Sequence, residues 1–264
     1  MRLWWEVARR SFHRHSTYRA ATFAGVFTNT VFGFILASIM LAVFEERRDI
    51  GGFDAVDAVT FTWVAQGFLA AVGAFGGHLP LADRIKTGEV VVDLYRPADL
   101  MLFELAGDIG RAAFQVLIRA TVPLAVGGLF FHLRLPSSAS TWLLFIASLT
   151  IGLVVSFAIR FLVTLTTFWF LDYRAPSQMS TVVTMFLSGF LMPVVFFPDW
   201  LETTARALPF VTFVQLPIEV LMGKHTGADL VAVFAAQGAW AVVLLAVSRW
   251  ALSLATRRVV IQGG

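Results

Sequence analysis

The sequence predicts an all-α integral membrane protein with six transmembrane helices, and three observations carry that prediction. Of 264 residues, 58% are hydrophobic and only 14% charged, against roughly a quarter charged in an ordinary soluble domain. The apolar residues gather into six runs, each of the ~20 residues needed to cross a hydrocarbon core of ~30 Å. Lysine and arginine concentrate at alternate ends of those runs, the pattern that orients multi-pass proteins. With a mean hydropathy of +0.78, a free-standing water-soluble domain is excluded.

The first stretch, MRLWWEVARRSFHRH, is too polar to span. Wound as a helix, it puts Arg2, Glu6, Arg9, Arg10 and His13 on one arc and Leu3, Trp4, Val7, Ala8 and Phe12 elsewhere. A helix lying in the membrane surface has this pattern. A secretory signal peptide is the competing reading; the apolar run that follows is too long for one, and no small-residue cleavage site is evident. Residues 1–20 are therefore read as an interface helix of the mature chain.

The six spans are predicted over residues 21–44, 55–77, 112–131, 141–171, 178–197 and 230–254. A polar stretch, 78–111, separates the second from the third. Between the fifth and sixth, residues 198–228 are semi-apolar and broken by Pro209, Pro217 and Gly223. The two apolar stretches there are too short to span and fit a pair of re-entrant helices dipping into the outer leaflet.

With the N-terminus inside, Arg2, Arg9, Arg10, Arg14, Arg19, Arg84, Lys86, Arg96, Arg111, Arg174, Arg249, Arg257 and Arg258 are cytoplasmic. Outside are Arg47, Arg48, Arg134, Arg206 and Lys224. That bias places both termini in the cytoplasm. The net charge of +3 thus reports orientation among membrane lipids, and nucleic acid is not an expected partner. One membrane domain, 1–264, is the expected organisation.

Several chemistries lack their residues. There is no cysteine, which excludes disulfides and thiolate sites. The five histidines are scattered over different loops, and His13 and His15, at i,i+2 on a helix, point apart, so no metal is expected. Neither Lys86 nor Lys224 sits in a phosphate-binding G-x-x-x-x-G-K-[ST] loop, so the chain is not expected to hydrolyse ATP or to act as an enzyme. No acidic residue falls inside the six runs, since Asp57, Asp172 and Asp229 lie at their edges; this argues against a proton-driven carrier. Of the 26 phenylalanines, Phe23, Phe27 and Phe34 recur near helical spacing, and lipid contact or seam packing is favoured over a drug cavity.

Two arginines fall within spans. The fourth run, about 46 Å long as a helix, exceeds the ~30 Å core. If Trp142 marks the outer interface, Arg160 lies near the inner edge and snorkels. Arg119 lies deeper. Pro123 frees its backbone carbonyl, so a kink with a buried, hydrogen-bonded arginine is expected.

The polar stretch 78–111 is the most informative. It mixes charges and hydrophobes at near-helical spacing, punctuated by Gly88 and Pro97. Val90, Val91, Val92, Leu94 and Tyr95 in a cytoplasmic loop would need a covering partner. The run R-I-x-x-G-E-V-x-x-D-L-Y-R-P at 84–97 resembles the motif of type-2 ATP-binding-cassette (ABC) exporter permeases, in particular the small six-span bacterial branch without a fused ATPase. F-P-D-W-L at 197–201, L-P-F at 208–210 and L-P-I-E-V-L-M-G-K at 216–224 agree with it.

The resemblance implies a permease in the bacterial cytoplasmic membrane, paired with a second permease chain in a homo- or heterodimer. A separate nucleotide-binding ATPase would carry the ATP and Mg, with no cofactor on this chain. It makes 84–97 a coupling helix docking into that ATPase, with Arg84, Gly88, Glu89, Asp93, Leu94, Tyr95 and Pro97 as contact residues. Cargo would pass along the first, second and fifth spans, closed outside by 198–228. Among the polar residues of those spans (Thr28, Asn29, Thr30, Gln66, Thr184 and Ser188), Asn29 and Gln66 are the leading pathway candidates, followed by Thr184 and Ser188. Interhelical hydrogen bonding is their competing role. The implied function is export of a hydrophobic or amphiphilic drug or antibiotic. Lipid or glycolipid translocation is the alternative, and a non-transporting scaffold or sensor subunit is the reading from another class.

Overall fold

The computed structural model describes residues 2–73, 78–170 and 172–262, and among these the chain is built of helices and turns without a strand ladder. In chain order the helices are α1 (Arg2–Ser16), α2 (Arg19–Glu46), α3 (Ala55–Val72), α4 (Leu81–Thr87), α5 (Val90–Tyr95), α6 (Leu100–Phe114), α7 (Thr121–Phe130), α8 (Ala139–Leu165), α9 (Thr167–Phe170), α10 (Arg174–Leu187), α11 (Asp199–Ala207), α12 (Gln215–Leu221) and α13 (Gly227–Gln262). Five stretches are long and apolar enough to cross a membrane: Arg19–Glu46, Ala55–Val72, Leu100–Phe130, Ala139–Phe170 and Gly227–Arg258. They answer to the first, second, third, fourth and sixth predicted runs. The expected ends of the second at 77 and the fourth at 171 lie outside the described residues.

The run expected as a fifth span is not a helix of spanning length. α10 has 14 residues, about 21 Å. It ends where Gly189 adopts a positive φ of 84°, a conformation glycine takes without steric cost. A tertiary contact holds the break. The Gln215 backbone N–H donates to the Ser188 carbonyl at 3.1 Å, and its side-chain Oε1 accepts from the Val194 N–H at 3.0 Å. A Cβ at 189 would overlap Gln215 Oε1. Short helices α11 and α12 then occupy the segment 198–228, joined by a tight turn that Pro209 opens.

The third span starts earlier than expected. Residues 100–111, assigned from sequence to the loop, are helical because the Asp99 carboxylate caps α6 by accepting from the Leu102 N–H at 2.9 Å. α1 covers one face of that helix, and Phe12 meets Phe114 edge-on at 5.6 Å. The two backbones approach closely at Gly110, where a Cβ would overlap the Ala8 carbonyl. Gly110→Ala is expected to lift α1 and cost about 1–2 kcal/mol, as overpacking of a tight contact does. Faster tryptic cleavage at Arg9 and Arg10 together with a lowered unfolding temperature in detergent would register it. An unchanged cleavage rate would mean that α1 is not seated on α6.

α3 is the central helix and is buried along most of its length. Its start is fixed by a capping box in which the Asp54 carboxylate accepts from the Asp57 N–H and Asp57 returns the bond. Lipid tails are as apolar as leucine, so close packing takes over from hydrophobic burial as the force between such helices. Trp63 accordingly sits between Gly33 of α2 and Gly127 of α7, both approached by its ring. Phe34 packs edge-on against Trp63 at 5.2 Å, whereas Phe23 and Phe27 are exposed, so the phenylalanine stripe divides between seam and outer surface. Between α6 and α7 the helix widens into a π-turn over Gln115–Ala120. This turn lies just ahead of Pro123, whose missing N–H would otherwise leave a broken hydrogen-bond ladder.

Candidate functional site

The α4–α5 hairpin is short but tightly held. Gly88 turns the chain between the two helices with φ 82°. Leu81, Ile85 and Val90 sink into a cluster with Leu100, Met101, Phe157, Phe161, Leu165, Phe168 and Ala255, joining the hairpin to α6, α8, α9 and α13. Arg84 reaches Asp93 at 2.7 Å and also pairs with Glu104 of α6, while Arg96 meets Asp93 at 3.1 Å. The hairpin is thereby pinned to the first turns of the third span by charge and to the ends of α8 and α13 by packing.

Of the side chains expected to be uncovered, Val90 is 2% exposed and Leu94 packs against the cluster. The correction follows from helical geometry, since residues at i and i+4 share one face and that face is turned inward. The opposite face presents Val92 at 60% and Tyr95 at 86% exposure, with Val91, Glu89 and Pro97 beside them. Arg84, Asp93 and Leu94 thus build the hairpin from within, while Glu89, Tyr95 and Pro97 lie on its outer surface.

The four pathway candidates fall into two pairs, Asn29 with Gln66 and Thr184 with Ser188. Asn29 is buried and donates through Nδ2 to the Gln66 backbone carbonyl at 2.9 Å. Gln66 is buried beside it on α3. Thr184 lies on α10 near Ser156 and Arg160. Ser188 is fully buried at the end of α10, its Oγ without a partner among the described residues.

Three expectations about charge are corrected. Arg160 does not snorkel: it is buried and bidentate to Asp108 at 2.6 and 3.1 Å. Asp108 and Glu104 are carboxylates within a span, because the helix beginning at Leu100 carries them there. Asp108 also accepts from Arg111 Nε at 2.7 Å, and Arg111 in turn donates to the Ala70 and Ala71 carbonyls at 2.6 and 2.8 Å. The end of α3 is therefore capped by Arg111, one of the two arginines that Asp108 neutralises. Arg119 was expected to be hydrogen-bonded. Its Nε is instead buried without a partner among the described residues, and its guanidinium lies in the space left by Gly25 of α2.

At the other end of the molecule a second polar cluster ties α11 and α12 to their surroundings. Buried Glu219 accepts from Arg206 at 2.9 Å, Gln215 at 2.8 Å and His225 at 2.9 Å. The other ring nitrogen of His225 faces Asp229. Glu219 holds His225 above the usual imidazole range, against an opposing effect of burial and with help from Asp229. Burial pushes Glu219 up, but the donors His225, Arg206 and Gln215 outweigh it and hold the carboxyl below its usual range. Nearby, Lys224 bonds Asp57 and the Gly52 carbonyl, clamping the segment to the α2–α3 loop.

Asp108, Glu104 and Glu219 escaped the sequence reading. A signal existed for Asp108: with Glu104 and Arg111 it follows i,i+4 and i,i+3 spacing, which a helix over residues 100–114 would stack on one face. Glu219 had no comparable signal, because its main cation comes from another helix.

No curated protein matches this sequence. The family described as ABC-2 family transporter protein matches residues 27–263, from within α2 beyond the end of α13. A multi-pass helical body accords with that match: the chain belongs to the ABC-2 transporter family and is a membrane permease of an ABC transporter, a component that works with an ATP-binding subunit.

Proposed function

We propose that the chain exports a hydrophobic or amphiphilic compound, of the kind represented by drugs and antibiotics, from the cytoplasm or inner leaflet of a bacterial cytoplasmic membrane. A separate ATPase subunit, holding ATP and Mg, supplies the energy, and a second permease chain completes the path. Both termini and the α4–α5 hairpin face the cytoplasm in this reading. The observation that carries it is the outer face of the hairpin, where Val92 and Tyr95 are uncovered on a support fixed to α6 and α8. A flexible loop would absorb a push from a partner. This one passes the push on, because its inner face is packed and ion-paired. A permease without its own energy source moves cargo only if such a partner binds its two states unequally. Asn29, Gln66, Thr184 and Ser188 remain the proposed polar contacts of the path, and α11 and α12 its outer closure.

The test is co-purification of the ATPase with Tyr95→Ala and Val92→Glu variants. Each is expected to lower association roughly tenfold or more, as loss of a central aromatic or apolar anchor does at an interface. The folded yield should stay unchanged, since both side chains are exposed. Unaltered association and transport in both variants would refute the docking surface. Asp93→Lys is a different experiment, because Asp93 holds Arg84 and Arg96 within the hairpin.

A further inference from the structure

A cavity of about 280 Å³, lined by both charged and apolar groups, lies between α2, α3, α6 and α8, toward the hairpin end. Among the described residues its walls carry three guanidinium groups, those of Arg111, Arg119 and Arg160, and one carboxylate, that of Asp108. Asp108 answers only two of the three. Arg160 spends its terminal nitrogens on Asp108. Arg111 divides its donors between Asp108 and the end of α3.

Arg119 is different. It makes no hydrogen bond or ion pair among the described residues, and its Nε is shielded from solvent. Its guanidinium is not loose at the surface, because it fills the gap at Gly25, one turn from Asn29, which lines the same cavity. One turn before Arg119, Gln115 Oε1 is also buried without a donor among the described residues. A cation and a neutral acceptor, both unanswered, thus share one wall.

The depth of the cavity suits a headgroup. Arg160 lies about 27 Å along α8 from Trp142 at 1.5 Å per residue, nearly the whole ~30 Å of a hydrocarbon core, and the Arg119 guanidinium reaches back to Gly25, only about 9 Å along α2 from its start at Arg19. The volume accommodates a phosphate and a small polar group but not acyl chains. Leu117 and Ile118, beside Arg119 in the chain, are exposed and leave the site bordered by lipid. Guanidinium is the side chain best matched to phosphate, through paired N–H donors in a fixed plane.

We propose that this cavity binds the phosphate headgroup of an anionic amphiphile, with the phosphate on Arg119 and a headgroup hydroxyl on Gln115. The proposal rests on the permease reading above for the cavity's position in the bilayer, and it narrows the class of amphiphile the protein engages. A free phosphate ion offers the same anionic chemistry without the chains, so the test separates the two sources.

The experiment is native mass spectrometry of the purified full-length permease in nonionic detergent, titrated separately with phosphatidylglycerol, phosphatidylcholine and inorganic phosphate. Phosphatidylglycerol is expected to bind one site roughly tenfold more tightly than phosphatidylcholine, with inorganic phosphate far weaker. Arg119→Gln should abolish the preference and Arg174→Gln, an exposed arginine outside the cavity, should keep it. Equal affinity for the two lipids in the unmodified protein overturns the proposal even if Arg119→Gln fails to fold. So does a preference that survives Arg119→Gln, and inorganic phosphate binding as tightly as lipid would replace the amphiphile by a free anion. The readout needs no ATPase. Loss of lipid preference therefore leaves hairpin docking untouched, and failure of the Tyr95 test leaves this site untouched.

Discussion

Asp108→Asn is expected to cost about 3–5 kcal/mol of folding stability, the range found when one partner of a buried ion pair is removed. Asp108 is the shared, buried acceptor of Arg160 and Arg111. An asparagine keeps the shape but removes the negative charge, and its amide nitrogen would face a guanidinium. Against a total stability of 5–15 kcal/mol, typical of folded domains, such a loss would sharply reduce the folded fraction. Thermal unfolding in detergent, followed by size-exclusion of the surviving monodisperse protein, measures it. The companion variant separates charge from packing. Asp108→Leu combined with Arg160→Met removes the principal pair together and should recover most of the loss, because a buried pair replaced by apolar groups is often neutral. A single Asp108→Asn variant as stable as the parent would mean that the two arginines are neutralised by something other than Asp108.

The same residue explains how far the sequence could be read. Five long helices were legible because each needs only one property, a sustained apolar run, and that property is local. The hairpin was legible as an exposed surface, but not which of its faces was outward. Val90 and Leu94 are chemically as apolar as Val92, and only the packing of Phe157, Phe161 and Phe168 beneath them decides. Asp108 reads as loop because the stretch 78–111 is polar, mixes charges with hydrophobes and is punctuated by Gly88 and Pro97. The structure overrides that argument through contact, with α1 lying along Gly110 and Arg160 arriving from α8. Likewise α10 stops at Gly189 because Gln215 holds the break, and nothing within the run 178–197 announces a glutamine from another helix. Membrane spans are local facts, whereas polar sites between them depend on residues distant in the chain.

Glu219 illustrates that dependence at the opposite end, and its loss carries the second large effect. Glu219→Ala would strip Arg206, Gln215 and His225 of a common buried acceptor. The expected cost is about 2–3 kcal/mol, below that of Asp108 because Arg206 is partly exposed and retains Glu202 at 2.8 Å. The cluster also titrates, and the two signs differ. The His225 pKa is raised above its ordinary 6.5, so its contribution is complete below that value and is lost as pH climbs through the higher folded-state pKa. The Glu219 pKa is lowered from 4.5, so its contribution is complete above that value and is lost as pH falls through the lower folded-state pKa. Stability of the α11–α12 segment should therefore be greatest between these ordinary values and decline on both sides. His225→Asn removes the alkaline limb alone. Hydrogen exchange of α12 amides, measured from pH 6 to 9 and corrected for intrinsic exchange, should show protection falling in the parent and staying level in the variant. Parallel profiles would rule out His225 as the titrating group, whereas a level variant profile would tie the stability of the α11–α12 segment to one imidazolium held between Glu219 and Asp229.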